Sequence, residues 1–415
     1  MHLFRYKGNE LYAEDVPVKT LADRYGTPLY VYSSNTLLRH LNAYQDAFDG
    51  FPNIICFALK ANSNLSILRL LGKNGSGADI VSGGELYRAL KAGIPAKRIV
   101  YAGVGKTEDE IRYAIDAGIL MFNVESFSEL MEIDRIARVM KKKACIALRV
   151  NPDIDPETHP YIATGLKSQK FGIPIEDAIE HYKSAARLKG INIIGIHKHL
   201  GSQITKVSPF VEGLRRTLLL VDKLDASGID IRYLDIGGGL GITYDTETPP
   251  HPKELARHII PLLNGRQGLT LIVEPGRSIS GNAGILVSRA LYIKKTQDKE
   301  FLIVDAGMND LMRPSLYGAY HRIIPVIRTG RRNRIQDIVG PICESGDFLA
   351  KERELPRIRP GEHIAVIGAG AYGFSMSSNY NSRPLPAEVM VKGKRHFLIR
   401  KRQTYEDLIA GERLL

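Results

Sequence analysis

The chain has 415 residues, 44% hydrophobic and 25% charged, which is ordinary globular material and enough for one barrel with an appended domain. The formal net charge is +12, but the basic residues are dispersed apart from short clusters at 141–143, 328–334 and 392–402, with no aromatic-interleaved basic stripe; this argues against nucleic acid and points to a small anionic ligand. Cys56, Cys145 and Cys343 are odd in number and far apart, which argues against a disulfide framework or a zinc knuckle; residues 1–7 lack the apolar core of a secretion signal and no apolar run approaches a membrane span, so a cytoplasmic protein with no membrane partner is expected.

Taken in chain order, a strand-turn-strand pattern surrounds Lys7-Gly8-Asn9, and a brief helix over 19–25 ends at Gly26-Thr27-Pro28. From Leu29 a regular alternation begins. A helix over 34–48 precedes short apolar strands at 54–60, 78–82, 99–103, 121–124, 145–150, 193–199, 233–237 and 271–274, with amphipathic helices such as 84–92, 107–117, 126–140 and 175–188 between them. Strands joined by helical crossovers in this number predict a (β/α)8 TIM-type barrel, an α/β domain over residues 28–281. After Gly281 the texture changes to strands at 287–294, 300–304, 363–367, 388–391 and 394–399 with little helix. Residues 282–415, joined by the orphan strands of 1–27, are expected to form a second, mainly β domain.

The carboxyl ends of barrel strands are where active sites are built. The first strand runs straight into Lys60, and desolvation there favours the free amine over the ammonium form, which makes it a candidate nucleophile toward a carbonyl. Asp79 with Ser82-Gly83-Gly84-Glu85 marks the second strand, and Arg149-Val150-Asn151-Pro152 the fifth. The sixth ends in His197-Lys198-His199-Leu200-Gly201-Ser202, where two histidines on one face raise the question of a metal. No third ligand stands at a recognisable spacing, so no metal is expected, and the other reading has His199 stacking on a flat ring while Ser202 reaches a phosphate. The seventh ends in Asp235-Ile236-Gly237-Gly238-Gly239, a turn whose backbone can approach an anion closely. The eighth ends in Glu274-Pro275-Gly276-Arg277, a carboxylate with a guanidinium beside it. An amine, a stacking histidine, a phosphate cradle and a carboxylate together describe a site for pyridoxal 5'-phosphate, with Lys60 joined to the cofactor's aldehyde and Glu274 on the pyridine nitrogen.

The motifs FALKANSN, DIVSGGEL, HKHLGSQ, DIGGGLGI, EPGRSI, MRPSLYGAYH, CESGD and GAYGFSMSSNYNSRP occur in this order along the chain. With them the chain resembles the diaminopimelate decarboxylase family, within the alanine-racemase-like, fold-type III pyridoxal enzymes, over essentially its whole length. A racemase of this fold usually has arginine at the pyridine nitrogen, so Glu274 favours decarboxylation. The resemblance implies removal of carbon dioxide from meso-2,6-diaminopimelate to give L-lysine, by a homodimer in which the β domain of one subunit completes the site of the other. It implies catalytic roles for Lys60, His199, Glu274 and Cys343, the thiol acting as proton donor. Cofactor contacts are implied for Asp79, His199, Ser202, Gly237, Gly238, Gly239, Glu274, Pro275, Gly276, Arg277 and Tyr372. Substrate contacts are implied for Arg277, Arg313, Tyr317, Glu344 and Tyr372, arginine being suited to carboxylates by its planar fork. Two other readings use the same residues. One is a relative acting on ornithine, arginine or carboxynorspermidine, which Glu344 and Arg313 disfavour; the other is a silent pyridoxal-binding regulator, which the presence of Lys60, Glu274 and Cys343 disfavours.

Overall fold

The structure, a computed structural model, describes residues 2–154 and 170–415, in two compact units. One unit comprises His40–Ile242 and Thr248–Ser278. Its parallel strands are Asn53–Ala58, Gly77–Ile80, Ile99–Tyr101, Met121–Val124, Ala144–Asn151, Ile191–His197, Tyr233–Asp235 and Thr270–Val273. Each pairs with the next, and Ile272 returns to lie opposite Ile54, so the sheet closes into a barrel. Closure removes the exposed edges that an open sheet would present. A short strand, Ile173–Pro174, is added beside the fifth.

The strands read as apolar runs because both faces are covered: Cys56, Val100, Met121, Ala147, Ile194 and Ile272 pack together in a buried cluster. Local chemistry sets the turns. Asn64, Ser82, Thr107 and Ser126 each accept a backbone N–H from the first turn of the following helix, and Gly93 and Gly118 end theirs in the left-handed conformation, at φ 87° and 66°. The first four strands therefore hand over to their helices within a few residues, which stations their polar strand-end residues at one rim.

The other unit comprises the segment up to Arg39, Thr243–Glu247 and Ile279–Leu415. Its main sheet runs in the order Phe348–Pro356, Asn333–Val339, Glu300–Val304, Gly284–Lys295, Leu29–Ser33, Ala387–Lys392, Arg395–Arg400, with His363–Ile367 also paired to Gly284–Lys295. Leu29, Val31, Ile285, Val287, Ala365, Val389 and Val391 form its core with Leu11 and Leu21. A separate three-stranded antiparallel sheet is made by Phe4–Lys7, Glu10–Ala13 and Val16–Pro17.

Two features differ from the sequence reading. Leu29–Ser33, placed by its apolar character at the start of the barrel, is a central strand of the β sheet, with Leu286 opposite Tyr30 on one side and Val389 beside Val31 on the other. A fully buried run fits either setting, and its partners are far away in sequence. The strands Asn333–Val339 and Phe348–Pro356 escaped notice because their exposed stretches, such as Arg334 and Lys351-Glu352, obscure the apolar alternation. Among the described residues no helix is long and apolar enough to cross a membrane.

Candidate active site

The first barrel strand ends at Ala58, two residues earlier than its apolar run suggested, and Lys60 sits in the 3-10 turn Leu59–Ala61. Its Nζ donates to the buried carboxylate of Asp79, on the second strand, at 2.8 Å. Burial and the charge of Glu274 push the Asp79 carboxyl up to about 7, against the pull of Lys60. A carboxyl titrating near neutrality can exchange a proton with the amine it holds.

Glu274 follows the eighth strand and is buried. Its Oε1 accepts from Asn123 Nδ2 at 3.3 Å, and its Oε2 lies 3.5 Å from His197 Nε2. Burial works against a charge here, yet His197 and Lys60 outweigh it and hold the Glu274 carboxyl well below the usual carboxylate range. Asp235 goes the other way: burial first, then the charge of Glu274, push it well up. Asn123 Nδ2 bridges the two, reaching Asp235 Oδ2 at 3.2 Å. Of two neighbouring acids, one keeps its proton and the other its charge.

His199 is a neutral ring, its pKa driven down by burial and then by Lys60 and Arg149. Its Nδ1 accepts from the Gly238 N–H at 3.2 Å, which places the ring proton on Nε2. Gly237 donates to Asp235 Oδ1 at 2.9 Å, so the first two N–H groups of the glycine turn orient Asp235 and His199. The turn admits no side chain: a Cβ on Gly238 would stand 2.0 Å from the Glu274 carbonyl oxygen, and Gly239, at φ 115°, would meet the Gly201 carbonyl at 2.5 Å. Arg277 donates to Ser202 Oγ from Nε and Nη2, at 3.2 and 3.0 Å. Pro275 accepts from Ala58 N–H at 3.2 Å and Gly276 lies close against Ala58 and Ala61, pinning this turn to the one that carries Lys60.

In the β unit, Arg313 and Tyr317 bound the helix Arg313–Tyr317. Ser315 Oγ donates to the Gly346 carbonyl at 2.6 Å, joining that helix to the loop bearing Cys343 and Glu344. Cys343 is exposed, and its N–H donates to Asn381 Oδ1 at 2.8 Å; Tyr380 donates its hydroxyl to Glu344. Asp347 is buried and accepts from the N–H groups of Met308 and Ile342, at 2.7 and 2.6 Å. It clasps the loop, leaving Glu344 as the exposed acid beside the thiol. Tyr372 adopts the left-handed conformation at φ 55°.

Sequence reasoning gave no role to Asn123, Asp235, Tyr380 or Asn381, although Asp235 stands at a strand end and Tyr380 and Asn381 lie within GAYGFSMSSNYNSRP. Asn123 is a lone amide in the apolar strand Met121–Val124. Candidate ligand atoms of His197, Asp235 and Glu274 lie within 4.8 Å of one another, a cluster invisible in sequence because its members end three different strands.

A phosphorylated pyridine aldehyde fits this rim. Lys60 is the amine, Glu274 the ionised acceptor and His199 the flat neutral surface, and the glycine turn Gly237–Gly239, packed against His199 and the Glu274 carbonyl, is the candidate phosphate side. The class so defined is a pyridoxal phosphate enzyme built on a closed parallel barrel. The family described as pyridoxal-dependent decarboxylase, pyridoxal binding domain, matches residues 34–281. The diaminopimelate decarboxylase of Aquifex aeolicus is 54% identical over 405 residues, covering 97% of this chain and 96% of that protein; that of Haemophilus influenzae is 51% identical over 413 residues, covering 99% of each. The crystal structure of diaminopimelate decarboxylase from M. jannaschii in co-complex with L-lysine matches with a TM-score of 0.94 at 41% identity, over 99% of this chain and 98% of that one. The chain belongs to the diaminopimelate decarboxylase family of pyridoxal-dependent decarboxylases.

Proposed function

We propose that the chain removes carbon dioxide from meso-2,6-diaminopimelate, at its D-configured centre, to give L-lysine, the last step of bacterial lysine biosynthesis. The observation that carries the reading is the charge pattern of the barrel rim: an ionised Glu274 and a neutral His199 beside a Lys60–Asp79 pair 2.8 Å apart. Bound pyridoxal phosphate supplies an electron sink for the bond between Cα and the departing carboxylate. Glu274 would accept from the pyridine N–H and favour its protonated form. His199 would face the ring, and Ser202 with the turns 237–239 and 275–277 would hold the phosphate. Lys60 would hold the aldehyde carbon, with Asp79 beside it to exchange a proton at Nζ. Tyr372 contacts both cofactor and substrate.

Arg277, Arg313 and Tyr317 bind the substrate's carboxylates and Glu344 pairs with an ammonium. Cys343 delivers the proton to Cα, directly or through a water it orients. The exposed position of the thiol suits a residue that serves a neighbouring subunit, and the family resemblance supports a homodimer in which each β unit completes the partner's barrel rim. A reducing cytoplasm suits a working thiol. The segment up to Arg39, Thr243–Glu247 and Ile279–Leu415 is taken as the unit that makes this contribution, and His40–Ile242 with Thr248–Ser278 as the cofactor barrel.

The test is carbon dioxide release from meso-diaminopimelate, L-ornithine, L-arginine, L-lysine and carboxynorspermidine by cofactor-loaded protein. Release from diaminopimelate alone is the expected result. Release from another amino acid with diaminopimelate inert overturns the roles of Arg313 and Glu344 and leaves the cofactor site standing.

A further inference from the structure

Arg313 is buried within the β unit, and two neighbouring side chains, His321 and Tyr244, meet its guanidinium. In the plane of the fork, Nη1 meets His321 Nε2 at 2.8 Å. The other ring nitrogen, His321 Nδ1, lies 2.9 Å from the carbonyl oxygen of Ile367. A carbonyl only accepts, so Nδ1 carries the proton, and Nε2 offers its lone pair to the arginine. The guanidinium carbon also lies over the ring of Tyr244, 4.6 Å from its centroid. The rings of Tyr244 and His321 meet edge to face, 5.1 Å apart at 74°.

The supports of these two side chains are themselves built. Tyr244 lies in Thr243–Glu247, a segment that belongs to the β unit although the chain on either side of it belongs to the barrel unit. Glu247 closes the segment on itself, its Oε2 accepting from the N–H groups of Tyr244 and Asp245 at 3.0 and 2.7 Å while its carbonyl accepts from Thr243 Oγ1 at 2.8 Å. Behind the Tyr244 ring stands Gly368, at φ 72°, where a Cβ would sit 3.3 Å from the ring. One short stretch, Ile367-Gly368, thus fixes the tautomer of His321 and makes room for Tyr244.

We infer that His321 and Tyr244 are positioning residues that set the fork of Arg313 to receive the substrate's distal carboxylate. The chemistry of the support matters. A neutral imidazole and an aromatic face orient the guanidinium without themselves carrying a negative charge that would compete with the incoming anion. Pre-orienting the fork matters because an arginine ordered only on binding loses affinity to the entropy of that ordering. The inference rests on the reading of Arg313 as a carboxylate-binding residue.

The experiment uses the cofactor-loaded enzyme and compares binding of L-lysine, which keeps the distal carboxylate, with 1,5-diaminopentane, which lacks it, followed by the absorbance of the bound cofactor. His321→Leu is expected to raise KM for diaminopimelate about tenfold with kcat within about twofold, and to weaken L-lysine binding to the same extent while leaving 1,5-diaminopentane unaffected. His321→Gln, whose amide oxygen can reach the position of Nε2, is expected to recover most of the loss. Tyr244→Leu should shift the same ratio in the same direction, and it decides the matter if His321→Leu does not fold. An unchanged ratio of the two affinities, or an equal weakening of both ligands, overturns the positioning role. Arg313→Met is the control for the underlying reading: if it too leaves the ratio unchanged, the carboxylate role of Arg313 itself is overturned.

Discussion

Lys60 and Asp79 meet at 2.8 Å, the charge of Glu274 raises Asp79 while Lys60 lowers Glu274, and groups so coupled share their protons as a set. On the proposed reading, the depressed Glu274 is the group whose charge serves the pyridine nitrogen. Glu274→Gln keeps the shape and an acceptor oxygen but cannot stabilise a protonated ring nitrogen, and kcat at saturating cofactor is expected to fall by about 10²-fold or more. Loss of cofactor affinity with kcat intact, read by titrating the variant with pyridoxal phosphate, would show that Glu274 only binds. At this scale much was legible. Lys60, Glu274 and His199 each stand out as polar residues at the end of an apolar strand. Their protonation states were not, because those depend on Asn123, His197 and Asp235, which arrive from other strands.

The sixth strand, Ile191–His197, and the residues after it alternate between two environments. His197 and His199 belong to the site, while Lys198 points the other way, toward the helix Ser208–Asp225, where a Cβ on Gly213 would lie 3.2 Å from its Nζ. Lys198 is fully buried and its Nζ has no hydrogen-bond partner among the described residues. Burial lowers its pKa from 10.5 to about 7, with Asp235 opposing. The unfolded chain therefore binds a proton that the folded one has released between about pH 7 and 10.5, so this group's contribution to stability improves as pH rises through that window. Lys198→Met is accordingly expected to stabilise the protein most at or below pH 7, on the order of 3 kcal/mol, with the gain shrinking toward pH 10. Thermal melts across that range check it, and a gain independent of pH would refute the charge argument. The turn between the seventh strand and the eighth is equally exacting. Gly238→Ala drives a Cβ to 2.0 Å from the Glu274 carbonyl. It should cost about 2–4 kcal/mol of stability and at least about tenfold in cofactor affinity, read by melting and cofactor titration.

For the whole molecule, shared sites make a prediction that separate sites do not. Lys60→Ala and Cys343→Ala each disable both sites of a homodimer, but a mixed dimer has one site with neither defect. Refolding equal amounts together should restore about a quarter of wild-type activity if subunits pair at random. No recovery, with mixed dimers demonstrated by differential tagging, would place Lys60 and Cys343 of one site in the same chain. The sequence alone determined the barrel, since eight apolar strands spaced by amphipathic helices have few other ways to bury both sheet faces, and it determined the chemistry at the strand ends, since strand polarity sends those residues to one rim. Tertiary structure decided the rest. Leu29–Ser33 joined the β sheet because its pairing partners lie in the last third of the chain. Asp347 became a loop clasp through hydrogen bonds to Met308 and Ile342. Arg313 acquired its support from Tyr244, brought from a distant segment. Periodicity is a local property of a chain, whereas register, burial and charge coupling arise only when remote segments meet.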